Sequence, residues 1–205
     1  AIIIHSYAKV IKGKAIDGQM VSEEVEGKNK TEQFEIYKNR ALDYLKSGYA
    51  SEVQEYVSIY NKPIWVTEWN MQISKTTGNT LLQSLFVAQY LLEVFSDPIL
   101  SYIELTTYHN LGGRDLSGSI FRNNEDKIEI HSTYYPMMMV GKIFENEVVR
   151  IEQERSKEFF IYKCYDKYNK EVLRYRLDWE SHQFSCTYNI VKFSKTSMVY
   201  KSLNL

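Results

Sequence analysis

The chain opens on Ile2-Ile3-Ile4, a β-branched run that closes on His5-Ser6-Tyr7. A short, uninterrupted apolar run of this kind predicts a strand buried in a parallel sheet. Positions 8 to 30 lose the pattern: they are polar, carry Gly13, Gly18, Gly27 and the acidic Glu23, Glu24 and Glu26, and read as a long loop. Between Thr31 and Tyr60 apolar residues return at three- and four-residue spacing, first Phe34, Tyr37, Ala41, Tyr44 and Leu45, then Val53, Tyr56, Val57 and Tyr60. That is a helical period, with a break predicted at Gly48 and a stop at Lys62-Pro63. A second buried strand follows at Ile64-Trp65-Val66-Thr67-Glu68-Trp69-Asn70. Asn79 or Thr80 can cap the next helix, where Leu81, Leu82, Leu85, Phe86, Ala88, Leu91, Leu92 and Phe95 make a wide apolar face ending at Asp97-Pro98. Tyr102 to Tyr108 is a third strand, running into His109-Asn110-Leu111-Gly112-Gly113, and Tyr134 to Phe144 is a third helix entered through Pro136.

Strand and helix alternating in this way predict an α/β fold built from βα units on a parallel sheet. From Val148 the period changes to two. Glu158 to Tyr165 and Glu171 to Leu177 read as a hairpin, and Phe184 to Ile190 and Ser197 to Leu203 as further strands. The expected division is residues 1–147 for the βα part and 148–205 for an antiparallel β-sandwich region. A chain that begins directly on a buried strand, with no initiator Met and no cleavable signal, reads as truncated.

Charge narrows the partners. Lys and Arg total 25 against 26 Asp and Glu, so the chain lacks the basic excess expected of a nucleic-acid binder. No stretch approaches the roughly 20 apolar residues of a membrane span. Two cysteines, Cys164 and Cys186, are too few for a disulfide framework; they are expected as buried thiols, with one bridge between them as the alternative. No His pair has metal-ligand spacing, no Gly-rich phosphate loop occurs, and neither a metal nor another cofactor is expected.

In βα repeats the chemistry sits at the carboxyl ends of the strands. Here those ends carry His5, Ser6 and Tyr7, then Glu68, Trp69 and Asn70, then His109 and Asn110. Glu68 follows a buried strand directly. It is either an ion-paired glutamate at a sheet edge or a site carboxylate. Trp69 offers a flat face that stacks on sugar rings or packs in a core, and Asn70 and His109 can hydrogen-bond hydroxyls.

The segment Lys62-Pro63-Ile64-Trp65-Val66-Thr67-Glu68-Trp69-Asn70 resembles the seventh strand of clan A glycoside hydrolases, the retaining enzymes built on a (β/α)8 barrel. His5-Ser6-Tyr7 resembles the ending of their sixth strand, residues 102 to 113 the eighth, and Ser132-Thr133-Tyr134-Tyr135-Pro136 the start of the last barrel helix. The nearest likeness is to α-L-arabinofuranosidases, through Glu68-Trp69-Asn70, the helix after it and a β-sandwich behind the barrel. This resemblance implies strands six to eight of a barrel, Glu68 as nucleophile, Tyr7 as its hydrogen-bond donor, and His5, Trp69, Asn70, His109 and Asn110 around the sugar. The implied substrate is a polysaccharide side chain, of arabinofuranoside type, in an extracellular or periplasmic setting.

The chain departs from that family in two respects. The family's acid/base glutamate follows an asparagine at the fourth strand. Asn124-Glu125 and Asn146-Glu147 lie too late in the chain to supply it. It would come from the N-terminal barrel half, in the same or another chain. Thr67 also stands where the arabinofuranosidases usually carry an acidic residue before the nucleophile. A second class remains open: a non-catalytic carbohydrate-binding or assembly component with barrel-like architecture.

Overall fold

The opening apolar run forms strand β1 (Ile2–Ala8) in the computed structural model, which describes residues 1–14, 18, 20–74, 76–112, 118–124, 127–188 and 196–201. The stretch read as a long loop contains a one-turn helix, α1 (Val21–Val25), held by the buried Val21. Helix α2 (Lys30–Asp43) starts at Asn29, whose side chain accepts from the backbone of Thr31 and Glu32 while Glu32 reaches back to the Asn29 N–H. This reciprocal cap satisfies donors that the first turn leaves unpaired.

The break expected at Gly48 does not occur. Tyr44–Gly48 form a π turn that leads straight into α3 (Tyr49–Tyr60), and Gly48 keeps helical angles, φ −61° and ψ −44°. The wider turn lets Tyr44 and Tyr49 stack at 5.7 Å between ring centroids on one face. Asn61, at φ 45°, and Pro63 then end the helix.

Strand β2 (Ile64–Met71) follows, then α4 (Leu81–Ser96), capped by the Thr80 side chain accepting from the Gln83 N–H at 3.4 Å. A 3₁₀ turn, Ile99–Tyr102, leads into β3 (Ile103–Tyr108). The next segment, expected as a loop between the third strand and the third helix, instead forms a hairpin of β4 (Phe121–Asn124) and β5 (Lys127–Ile130). The last helical stretch divides at Gly141 into α5 (Tyr134–Val140) and α6 (Lys142–Glu145).

The remaining strands are β6 (Arg150–Arg155), β7 (Phe159–Tyr165), β8 (Glu171–Asp178), β9 (Gln183–Tyr188) and β10 (Thr196–Lys201). Gly113, Glu125, Ile190 and the chain beyond Lys201 fall outside the described residues.

The fold is therefore mixed α/β. Strands β1, β2 and β3 form a parallel sheet in that order, and β10-β9-β8-β7-β6 form an antiparallel one. Helix α4 lies between them and is buried nearly all round, as an almost wholly apolar helix requires. Its buried polar residues are hydrogen-bonded. Gln89 accepts from Trp179 Nε1 at 2.6 Å, and Glu93 accepts from the Tyr162 hydroxyl at 2.7 Å and from Gln153 at 2.8 Å. One buried apolar cluster runs from Ile4 to Cys186. The antiparallel sheet turns its buried face, with Tyr162, Tyr175 and Phe184, toward this cluster rather than toward a second described sheet.

Both cysteines are buried thiols. Cys164 is on β7 and Cys186 on β9, with β8 between them, so two inter-strand spacings of about 4.8 Å keep them beyond bridging distance. Burial pushes the thiols up to about 12 and about 11, which leaves them protonated near neutral pH.

Candidate active site at the strand ends

Residue alternation assigns each side chain at the strand ends to one of two faces. On β1, Ile4, Ser6 and Ala8 turn to the helices, while Ile3, His5 and Tyr7 turn to the open face. On β2, Ile64 and Val66 are buried and Trp65 faces outward. A register shift, in which Ile4 pairs with Val66 but His5 with Glu68, brings Glu68 opposite His5. The irregularity re-aims the strand end, as bulges do.

Glu68 Oε2 accepts a hydrogen bond from the Tyr7 hydroxyl at 2.8 Å and lies 3.6 Å from His5 Nδ1, too far for a hydrogen bond. Its side chain is 37 % exposed, so the carboxylate can be reached from solvent. Burial, and then the hydrogen bond to Glu68, push the Tyr7 phenol well above its ordinary value. Tyr7 is thus a fixed neutral donor. His109 packs edge-on to the Tyr7 ring at 6.1 Å, and the His109–Asn110 peptide is cis. Beside this group opens a cavity of about 420 Å³, lined by Tyr7, Lys12, Asn70, Gln72, His109 and Asn110 among others.

Six of the seven expected site residues, His5, Tyr7, Glu68, Asn70, His109 and Asn110, lie at this end of the sheet. Trp69 does not reach the cavity. It follows Glu68 by one residue, so the pleat turns it to the helix side, where it is 1 % exposed and stacks on Tyr90 at 3.8 Å. It packs in the core rather than offering a sugar platform. Asn70 borders the cavity but is 2 % exposed. Its Nδ2 donates to the His109 carbonyl at 2.6 Å, and its Oδ1 accepts from Gln83 at 3.3 Å. The amide expected to bind hydroxyls is engaged within the protein.

Two residues of the site had no reading in the sequence. Gln72 Oε1 accepts from the backbone of both Ile11 and Lys12 at 2.9 Å, tying the segment after β1 to the end of β2. That link places Lys12 on the cavity wall. The only signal was position, directly after a strand. None of the described side chains lining the cavity is a carboxylate. Glu147 stands at the end of α6, 4.0 Å from Lys167 of the antiparallel sheet's β7–β8 turn. Among the described residues no cluster of His, Cys, Asp or Glu suits a metal ion, and no helix is long and apolar enough to cross a membrane.

No protein-family model matches the chain, and no curated protein sequence matches it. A solved structure, the GH51 arabinofuranosidase from Xanthomonas axonopodis pv. citri, superposes on 91 % of this chain with a TM-score of 0.49 and 11 % identity. The chain spans 37 % of that enzyme's length.

Proposed function

We propose that this chain carries the nucleophile side of a retaining glycosidase site, with Glu68 as the attacking carboxylate. The observation that carries the reading is the Tyr7 hydroxyl donating to Glu68 at 2.8 Å, at the carboxyl ends of three parallel strands and beside a polar cavity. A nucleophile at this place needs one oxygen held and the other open to the sugar. One neutral phenol on Oε2, with the side chain partly exposed, meets that need.

In this scheme a free Glu68 oxygen attacks the anomeric carbon and forms a glycosyl ester. The bond to the leaving oxygen breaks as that oxygen takes a proton from a second carboxyl group, set roughly 5–5.5 Å from Glu68, and the resulting carboxylate later deprotonates the water that hydrolyses the ester. That second carboxyl belongs to the proposed N-terminal barrel half, for which β1, β2 and β3 stand as strands six to eight. Residues 1–147 are then the barrel part and 148–205 the accompanying β region. His5, His109 and Asn110 border the sugar, and the proposed substrate is an arabinofuranoside side chain of a polysaccharide.

Glu68→Gln in the complete protein is the test, assayed on an aryl arabinofuranoside. The expected result is loss of turnover with sugar binding largely kept. Near-normal turnover removes Glu68 from the mechanism. Sugar binding without turnover in the unaltered protein favours the non-catalytic carbohydrate-binding alternative.

A further inference from the structure

Helix α4 reads as a run of apolar residues interrupted in its first turn by Gln83, and Gln83 is fully buried. An amide in such a place is costly unless all its bonding groups find partners. They do. Gln83 Oε1 accepts from the Asn79 N–H at 2.7 Å, and Nε2 donates to the Tyr108 hydroxyl at 3.0 Å and to Asn70 Oδ1 at 3.3 Å. Both recipients pass the linkage onward. The Tyr108 hydroxyl donates to the Gly118 carbonyl at 2.7 Å, and Asn70 Nδ2 donates to the His109 carbonyl at 2.6 Å.

The polarity of this chain of bonds is fixed at its start. Because the Asn79 N–H requires an acceptor, the Gln83 oxygen faces it and the NH₂ end faces Asn70. Asn70 is held from its own side as well: its Oδ1 accepts from the Met71 N–H at 2.8 Å and so faces Gln83, and its NH₂ faces the His109 carbonyl. The carbonyl that Asn70 holds belongs to the residue whose ring lies against Tyr7, the donor to Glu68.

We propose that Gln83 is a positioning residue of the candidate site, bracing Asn70 in this orientation and through it the place of His109 beside the Tyr7–Glu68 pair. The inference rests on reading the cavity as the sugar site, but its test needs no turnover. Replacing Gln83 with Glu keeps an acceptor for Asn79 and sets an oxygen against Asn70 Oδ1. The Met71 N–H holds Asn70 Oδ1 on that side, so the two oxygens repel and displace Asn70 together with the His109 carbonyl it holds.

The experiment is ¹H–¹³C NMR of the histidine rings in the full chain, with the His109 signals identified by their loss in His109→Gln. In Gln83→Glu the His109 signals should move by more than their line width while those of His182, in the β8–β9 turn, stay in place. Unmoved His109 signals in the folded variant overturn the proposal. Should Gln83→Glu fail to fold, Gln83→Met decides: it keeps the length of the side chain and removes its bonds to Asn70 and Tyr108, so a displacement of the His109 signals is expected and its absence overturns the proposal. A failure of Glu68→Gln to affect turnover would leave this displacement unchanged, so the two readings fail separately.

Discussion

His182 sits in the turn between β8 and β9 at φ 50°, with Nε2 buried and without a hydrogen-bond partner among the described residues. Its ring packs edge-on to Phe34 of α2 at 5.6 Å. Burial, and then the Lys38 ammonium, lower its proton affinity below the ordinary histidine value, against opposing pulls from Glu35 and Glu158 and from Asp178. The unfolded chain therefore binds this proton more readily than the folded one, so the contribution is fully present above about pH 6.5 and is lost as pH falls below it. His182→Gln should flatten the decline in stability as pH falls below about 6.5, read from urea midpoints at successive pH values. An unchanged slope would show that other groups carry it.

Helix α4 is the element that joins the two sheets. Glu93, 1 % exposed, accepts from Tyr162 and Gln153 of the antiparallel sheet, and Arg155 Nη2 lies 3.4 Å away. The two kinds of partner differ in worth. Tyr162 is wholly buried and donates to a carboxylate, a bond of about 1.5–3 kcal/mol, whereas the partly exposed Arg155 is screened by solvent and contributes less. Tyr162→Phe should destabilise the fold by about 1.5–3 kcal/mol and Arg155→Ala by under about 1 kcal/mol, measured by equilibrium urea unfolding. The reverse order would mean that charge rather than the buried hydroxyl holds this junction.

Across the described residues of the molecule, the helices pack on one face of the parallel sheet. Its other face carries Ile3, Trp65 and Leu105, paired in register across the three strands and exposed by 63 %, 39 % and 41 %. Among the described residues β1 and β3 each pair only with β2. Parallel sheets are ordinarily covered on both faces, and free strand edges with an apolar face invite further pairing. The 205-residue chain on its own should therefore associate with increasing concentration in sedimentation velocity, and Ile3→Lys with Leu105→Lys should suppress it. A monomer at all concentrations with a single thermal transition would contradict this.

Local periodicity alone was enough to place β1, β2, α4, β3 and the β7–β8 hairpin, because an apolar run or a helical stripe is a property of neighbours in the chain. It also brought Glu68 and Tyr7 to the same ends of the sheet. It could not tell which face Trp69 takes, since that depends on the irregular register between β1 and β2, and one residue of shift exchanges the faces. Nor could it show that Gly48 stays helical, because the π turn goes with the stacking of Tyr44 on Tyr49, a contact that exists only in the folded chain. Gln83 and Glu93 drew no reading as polar residues within an apolar helix, because their partners lie up to 69 positions away in the chain. Such pairings exist only once the sheets close around α4, and that packing decides which buried amide or carboxylate is satisfied.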